Sequence, residues 1–190
     1  VQIDNTPLNR ARGGVVNLAD IPAGIIESIE IYKGAVPPGL SGDSPGGVIR
    51  INTRRFKDQP SIHVHGSFGS FKTARTGFTY GDSLAGIDMI LSSDFQRTDG
   101  DFKFPDDNGT PFNPDDDEDT VRKNNLFRSQ NHILKLRAAP LPGFTVSITE
   151  NFFRKHKGVP GLGVLQSETA ELDYQRNILE LNLRQQNLCD

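Results

Sequence analysis

From Ser61 onward the sequence repeats one device: an extended segment in which apolar and polar residues alternate, closed by a turn or a polar loop. Successive side chains of a strand point to opposite faces, so each such segment carries one apolar and one polar face. In 61–69, Ile62, Val64, Gly66 and Phe68 lie opposite His63, His65 and Ser67. In 73–81, Ala74, Phe78 and Tyr80 oppose Arg75, Thr79 and Gly81, and in 87–97, Ile87, Met89, Leu91 and Phe95 oppose Asp88, Ser92, Asp94 and Gln96. The segment 126–138 ends with Leu134, Leu136 and Ala138 turned away from Lys135 and Arg137. In 144–153, Phe144, Val146, Ile148 and Phe152 oppose Thr145, Ser147, Thr149 and Asn151, and in 172–185, Leu179, Leu181 and Leu183 oppose Glu180, Asn182 and Arg184. Six strands of about the length that crosses an outer membrane are predicted.

Two architectures share this alternation: a soluble antiparallel sandwich with the apolar faces turned inward, and a transmembrane barrel with them turned outward to lipid. Connection lengths favour the second. Residues 82–86 and 139–143 are tight turns, whereas 98–125 and 156–171 are long loops, and only the hairpin at 70–72 breaks the alternation of short and long. Short turns on one rim and long loops on the other is the outer-membrane arrangement, with the short turns periplasmic. Aromatic residues sit near segment ends, Phe68, Phe95, Phe127 and Phe152 toward the long loops and Tyr80 and Phe144 toward the short ones, as interfacial girdles would.

Residues 1–56 have a different character. Val1 to Asp4 reads as a short strand, and Asn5-Thr6-Pro7 as a turn from which Leu8 and Asn9 pair back. Asp20 as N-cap and Pro22 in the first turn predict a short helix over 21–27. Strands are predicted over 28–33 and 48–53, separated by a loop rich in Pro and Gly, so the chain divides into an α+β piece at 1–56 and strands at 61–190.

Composition narrows the function classes. No apolar run approaches the roughly 18 residues of a spanning helix, which excludes a helical membrane protein and leaves a β-barrel open. A net charge of −3 supplies no basic face for nucleic acid. Cys189 is the one cysteine, so neither an internal disulfide nor a cysteine-based metal cluster is available. The sequence starts at Val1 without a leader-like segment, as after cleavage of a signal peptide or within a longer protein.

The run Ile21-Pro22, Ile26 through Gly34, Gly42, and Gly46-Gly47-Val48-Ile49-Arg50-Ile51-Asn52-Thr53 resembles the end of the plug domain of TonB-dependent outer-membrane receptors. Val1 to Leu8 is similar to the upstream plug hairpin of that family, and a plug followed directly by amphipathic strands is the family's order. Asn5 stands where the family often has Gly, and Pro37-Pro38-Gly39-Leu40 replaces a more usual small-residue loop. The resemblance implies a plugged barrel of about 22 strands, of which these six would be the first, making this chain a fragment without its TonB box or remaining strands. It further implies residence in the outer membrane of a Gram-negative bacterium, contact with its lipid, coupling to the TonB complex, and import of a small-molecule or metal-chelate solute such as a ferric siderophore or cobalamin. No cofactor is implied. Residues 10–17, including Arg10, Arg12, Gly13, Gly14 and Asn17, resemble a plug loop facing the ligand chamber, while Glu27, Glu30, Lys33 and Arg50 are candidates for charged contacts between plug and barrel wall.

Three constellations remain. Between Asp99 and Asp119 lie nine carboxylates, among them Asp115, Asp116 and Asp117, against Lys103 alone. EF-hand spacing is missing, so a solvated extracellular loop is the better reading, with attraction of a cationic ligand or Ca²⁺ as the alternative. Phe102, Phe104 and Phe112 in that loop are either packing anchors or ligand-facing aromatics, anchors being favoured. His63 and His65 share a face without a visible third ligand and are read as lumen-lining residues, so no metal site is assigned. No nucleophile, base and orienting group come together, so catalysis is not expected. The reading from another class is a soluble or surface-exposed β-rich binding or adhesion domain.

Overall fold

The computed structural model describes residues 1–4, 6–8, 16–21, 23–34, 46–56, 59–163 and 165–186. Its N-terminal part contains strands β1 (Gln2–Ile3), β2 (Thr6–Pro7), β3 (Ile26–Tyr32) and β4 (Val48–Thr53). They form a sheet in the order β2-β1-β4-β3. Strand β1 runs parallel to β4, with Ile3 opposite Ile51, and β3 runs antiparallel to β4.

The helix predicted over 21–27 does not form. One 3₁₀ turn, Ala23–Ile25, falls in that stretch, another, Leu18–Asp20, precedes it, and the chain is already extended at Ile26. Ile26 pairs with Thr53 across a register shift before Ser28. The β-branched residues Ile26, Ile29 and Ile31 favour the pleated conformation, and pairing along β4 outweighs the local capping signal.

Residues 61–185 build the second sheet from β5 (Ser61–Gly69), β6 (Thr73–Leu84), β7 (Ile87–Thr98), β10 (Phe127–Leu141), β11 (Phe144–Gly158) and β14 (Glu171–Gln185). The loop after β7 carries the hairpin of β8 (Lys103–Asp106) and β9 (Glu118–Val121), and the loop after β11 carries that of β12 (Gly161–Leu162) and β13 (Leu165–Gln166). The six long strands pair antiparallel in chain order, β5 and β14 being the edges, so the described residues form an open sheet with no closed barrel. Strands are longer than the alternation predicts because the turns are tighter. Leu84 pairs with Ile87 around Ala85 and Gly86, whose φ values of 52° and 78° are those a two-residue hairpin turn needs. Leu141 pairs with Phe144 around Pro142 and Gly143, a two-residue turn in which Gly143 alone takes a positive φ, 72°.

The polarity of this sheet is the reverse of a soluble one. The face bearing the aliphatic alternation is uncovered: Ile62, Phe68, Leu179 and Leu181 are 75%, 87%, 73% and 62% exposed. The polar face is covered instead, by the N-terminal unit, and buries Ser92, Asp94, Asn131, Asn151, Lys135 and Lys155. The apolar core is small and lies between the two sheets. Ile3, Ile21, Ile25 and Ile51 pack on Ile133, one of the few apolar residues of the polar face, with Ile178 alongside. Strand alternation places Phe68, Phe95, Phe152 and Phe144 on the uncovered face, as expected of girdles, but puts Phe127 on the opposite face, where it pairs in register with Lys157.

Candidate functional site

Charged and hydroxyl groups organise the junction between the two sheets. Asp4 follows β1 with φ of 51°, and this left-handed bend turns its carboxylate toward β4 and the second sheet. One oxygen accepts from the Thr53 amide at 2.9 Å, the other from the Thr53 hydroxyl at 2.8 Å and from Lys135 Nζ at 3.0 Å. Asp20, in the first 3₁₀ turn, takes Lys155 Nζ on both oxygens at 2.6 and 2.7 Å and also accepts from Asn17 Nδ2 at 3.1 Å. Lys155 in addition lies 5.3 Å from the ring centre of Tyr174. Thr6 donates to Glu180 at 3.1 Å. At the β5 side, His65 Nε2 meets the buried Asp94 carboxylate at 2.9 Å directly under Gly24, whose missing side chain makes room: a Cβ there would stand 2.7 Å from His65 Cε1.

Two lysine–aspartate pairs in a nearly dry junction are not simply adhesive. Withdrawing each ion from water costs several kcal/mol, and the mutual attraction roughly offsets this only when the remaining hydrogen-bonding capacity is used. Here it is, by Asn17 at one pair and Thr53 at the other, while the Tyr174 ring face lies beside the Lys155 ammonium. Such pairs specify where the N-terminal unit sits far more than how tightly. With a core as small as the isoleucine cluster, the junction is registered by polar contacts and held by modest apolar burial.

The candidate contacts Glu27, Glu30, Lys33 and Arg50 are placed elsewhere. Glu30 accepts from Tyr32 Oη and Asn52 Nδ2 at 2.7 Å each and lies 3.9 Å from Arg50, all within the first sheet. These hydrogen bonds hold its carboxyl below the usual glutamate range. Glu27 accepts from the Arg55 amide at 2.8 Å, Arg50 also donates to the Asp4 carbonyl at 3.1 Å, and Lys33 is exposed. The sequence reading missed Asp4, Asp20, Lys135 and Lys155 as junction residues. Lys135 and Lys155 carry a weak signal, being cations on the polar faces of long strands, each followed two residues on by a second cation, whereas Asp20 was masked by its resemblance to a helix cap. Of the loop residues 10–17, Asn17 holds Asp20, and Arg10, Arg12, Gly13 and Gly14 lie outside the described residues.

At the rim with the long connections, the two loops are joined to each other. Arg122 donates to the carbonyls of Gly161 and Gly163, Lys123 Nζ meets Glu168 at 2.8 Å, the Lys123 amide donates to Gln166 at 2.8 Å, and Asn124 Nδ2 reaches the Ala170 carbonyl at 2.8 Å. Gly158 permits the approach, because a Cβ there would lie 2.1 Å from the Asn124 carbonyl oxygen. Phe102 packs edge-on against Phe71 and beside Phe104, whose ring lies under Arg122. Phe112 is 99% exposed. Asp116 accepts from the Thr110 hydroxyl at 2.8 Å, while Asp115 and Asp117 face solvent. Among the described residues no group of three or more His, Cys, Asp or Glu side chains is placed to hold a metal ion.

No protein-family model and no curated protein sequence matches this chain. Among solved structures, the crystal structure of the ferripyoverdine receptor of the outer membrane of Pseudomonas aeruginosa bound to ferripyoverdine superposes with a TM-score of 0.64 over 96% of this chain, at 12% identity. The fold resembles part of an outer-membrane receptor. The chain spans 25% of that receptor's length.

Proposed function

We propose that this chain is the C-terminal part of a plug, residues 1–56, and the first six barrel strands, residues 61–190, of a TonB-dependent outer-membrane receptor. Such a receptor binds a scarce extracellular solute, of which a ferric siderophore or cobalamin is the type, and admits it to the periplasm when TonB pulls on the plug. The observation that carries this reading is the reversed polarity: an uncovered aliphatic face on an antiparallel sheet whose polar face is occupied by a second, separately hydrogen-bonded sheet. A soluble sandwich buries its aliphatic faces against each other, whereas a plugged barrel in lipid requires the reverse. The likeness in fold to a siderophore receptor supports the same assignment. A junction positioned by polar contacts around a small core suits a plug that is firmly located and still able to rearrange. The function assigned is binding and transport, with no catalytic step.

The test is cellular. The full-length protein that carries this chain should fractionate with the outer membrane and support uptake of a labelled ferric siderophore or cobalamin that stops when TonB is deleted or the proton gradient collapsed. Recovery in the soluble periplasmic fraction, or uptake indifferent to TonB, would refute the reading.

A further inference from the structure

On the uncovered face, just beyond the aromatic row toward the long loops, three arginines of adjacent strands come together. Arg97 of β7 stands directly opposite Arg128 of β10, and Arg154 of β11 pairs in register with Gln130, two residues along from Arg128. All three are exposed, and none makes a side-chain hydrogen bond or ion pair with another described residue. By contrast Arg137, at the other rim, holds Asp88 at 2.7 Å. Like charges directly opposed across a strand pair destabilise it. The neighbouring acids do little to relieve them: Asp99 feels Arg97 and Arg128, but its carboxylate is engaged by Lys72 at 2.7 Å, and Asp173 is bonded to His156 at 3.2 Å. The arginines line a groove of about 650 Å³ together with Ala74, Thr76 and Phe95. Phe95 and Phe152 each precede an arginine by two residues, about 7 Å along the strand, so the groove opens onto the apolar band.

We propose that Arg97, Arg128 and Arg154 form a binding site for the phosphate group of an anionic lipid whose acyl chains lie on the adjoining apolar band. Guanidinium groups present paired donors matched to phosphate oxygens, and a bound phosphate would neutralise the opposed charges that the strand register enforces. The apolar side of the groove selects an amphiphile over a soluble anion. The site lies on the face away from the N-terminal unit and takes no part in the junction described above. It rests on the reading that the apolar face is in lipid.

The experiment uses the full-length protein in phosphatidylcholine vesicles with and without a bisphosphorylated lipid A, the retained lipid being counted by native mass spectrometry. The unaltered protein should retain lipid A, and the triple variant R97Q/R128Q/R154Q should retain at least about tenfold less, as expected when several charge-assisted phosphate contacts are lost. The triple Arg→Lys variant should retain an intermediate amount, since charge survives and paired donation does not. Equal retention by the glutamine variant would overturn the proposal, and displacement of lipid A by equimolar inorganic phosphate would reduce it to a site for free anions. A spin label at Leu134→Cys in a Cys189→Ser background separates the two levels. Accessibility to oxygen in the bilayer with unchanged lipid retention rejects the anion site alone. Accessibility to an aqueous nickel chelate rejects the membrane reading and the site with it.

Discussion

Asp20 and Lys155, 135 positions apart in the chain, meet through both carboxylate oxygens at 2.6 and 2.7 Å, with each side chain 10% exposed. The pair joins a 3₁₀ turn of the N-terminal unit to β11 on the second sheet's polar face, three residues before that strand ends. Removing one partner leaves a charge stranded where water does not reach it. Asp20→Asn or Lys155→Met alone should therefore destabilise the docked state by about 3–5 kcal/mol, whereas the double variant that combines them should recover most of the loss. Denaturant titration of the full-length protein, followed by a probe on the N-terminal unit, checks this. Additive losses in the double variant would mean that the pair does not act as a unit.

The steric counterpart lies at Gly24, over His65. A larger residue at 24 must displace the imidazole or lift the N-terminal unit from the sheet, and overpacking of this kind costs about 1–3 kcal/mol. Gly24→Val should therefore weaken docking, and His65→Ala in the same chain should restore much of it by vacating the atoms that a Cβ would approach at 2.7 Å. Protease protection of residues 16–34 reports the result, and absence of rescue would place the cost in the backbone of the turn.

The two faces of the second sheet make opposite demands. Leu134→Arg or Leu181→Arg should cost about 2–4 kcal/mol if the residue sits near the bilayer midplane. Lys135 is unsuitable as the polar-face control, because it holds Asp4 at 3.0 Å and is nearly buried. Asn182 is a better one: it borders an open groove of about 510 Å³ beside Arg137 and Ser147, so Asn182→Arg should be tolerated. Folding into lipid vesicles, read by the shift in electrophoretic mobility of the unheated protein, compares the three. Equal tolerance would argue against a lipid-facing band.

The strand pattern was legible because alternation is local and long. β4 and β5 have the bounds the sequence predicts, and the other long strands begin within a residue of expectation. β6 and β10 run on to Leu84 and Leu141 because the turns at Ala85-Gly86 and Pro142-Gly143 are only two residues long, which local propensity does not reveal. The junction was not legible for a related reason. Asp4 with Lys135 and Asp20 with Lys155 are contacts of very long sequence separation, and a lone carboxylate gives no sign of which distant strand it will meet. Local cues instead drew attention to Glu30 and Arg50, which face each other within one small sheet.

The loop contact between Lys123 and Glu168 yields a pH dependence whose sign is fixed. The lysine hydrogen bond lowers the Glu168 carboxyl below its ordinary 4.5, and the same bond raises the Lys123 ammonium. A lowered carboxyl stabilises fully above 4.5, and this contribution disappears as pH falls through the lower native value. A raised lysine contributes at all pH values below its ordinary 10.5 and loses that contribution only on strong alkalinisation. Amide exchange at Arg122 to Asn124 should accelerate, relative to the intrinsic rate, on acidification below 4.5, and Glu168→Gln should abolish the dependence. Both groups are solvated, so the effect is confined to the loops. A dependence persisting in the glutamine variant would assign it to other carboxylates.

The edges of the second sheet govern what the 190-residue chain does when made alone in water. β5 and β14 present unpaired backbone along their outer sides, and the exposed Ile62, Val64 and Phe68 at one edge and Leu179, Leu181 and Leu183 at the other extend the apolar face to both margins. The smallest membrane barrels close with about eight strands, so six cannot eliminate their edges by curling shut. An open edge beside an uncovered apolar face is a template for pairing between copies. Further strands or lipid would remove the hazard, and neither is available to the isolated chain in buffer. Residues 1–190 expressed by themselves should accumulate as inclusion bodies and form no pore when offered to vesicles. A soluble monomer with a cooperative thermal transition and dispersed amide resonances would show that the aliphatic face finds cover within the chain, and would transfer the assignment to a β-rich binding domain.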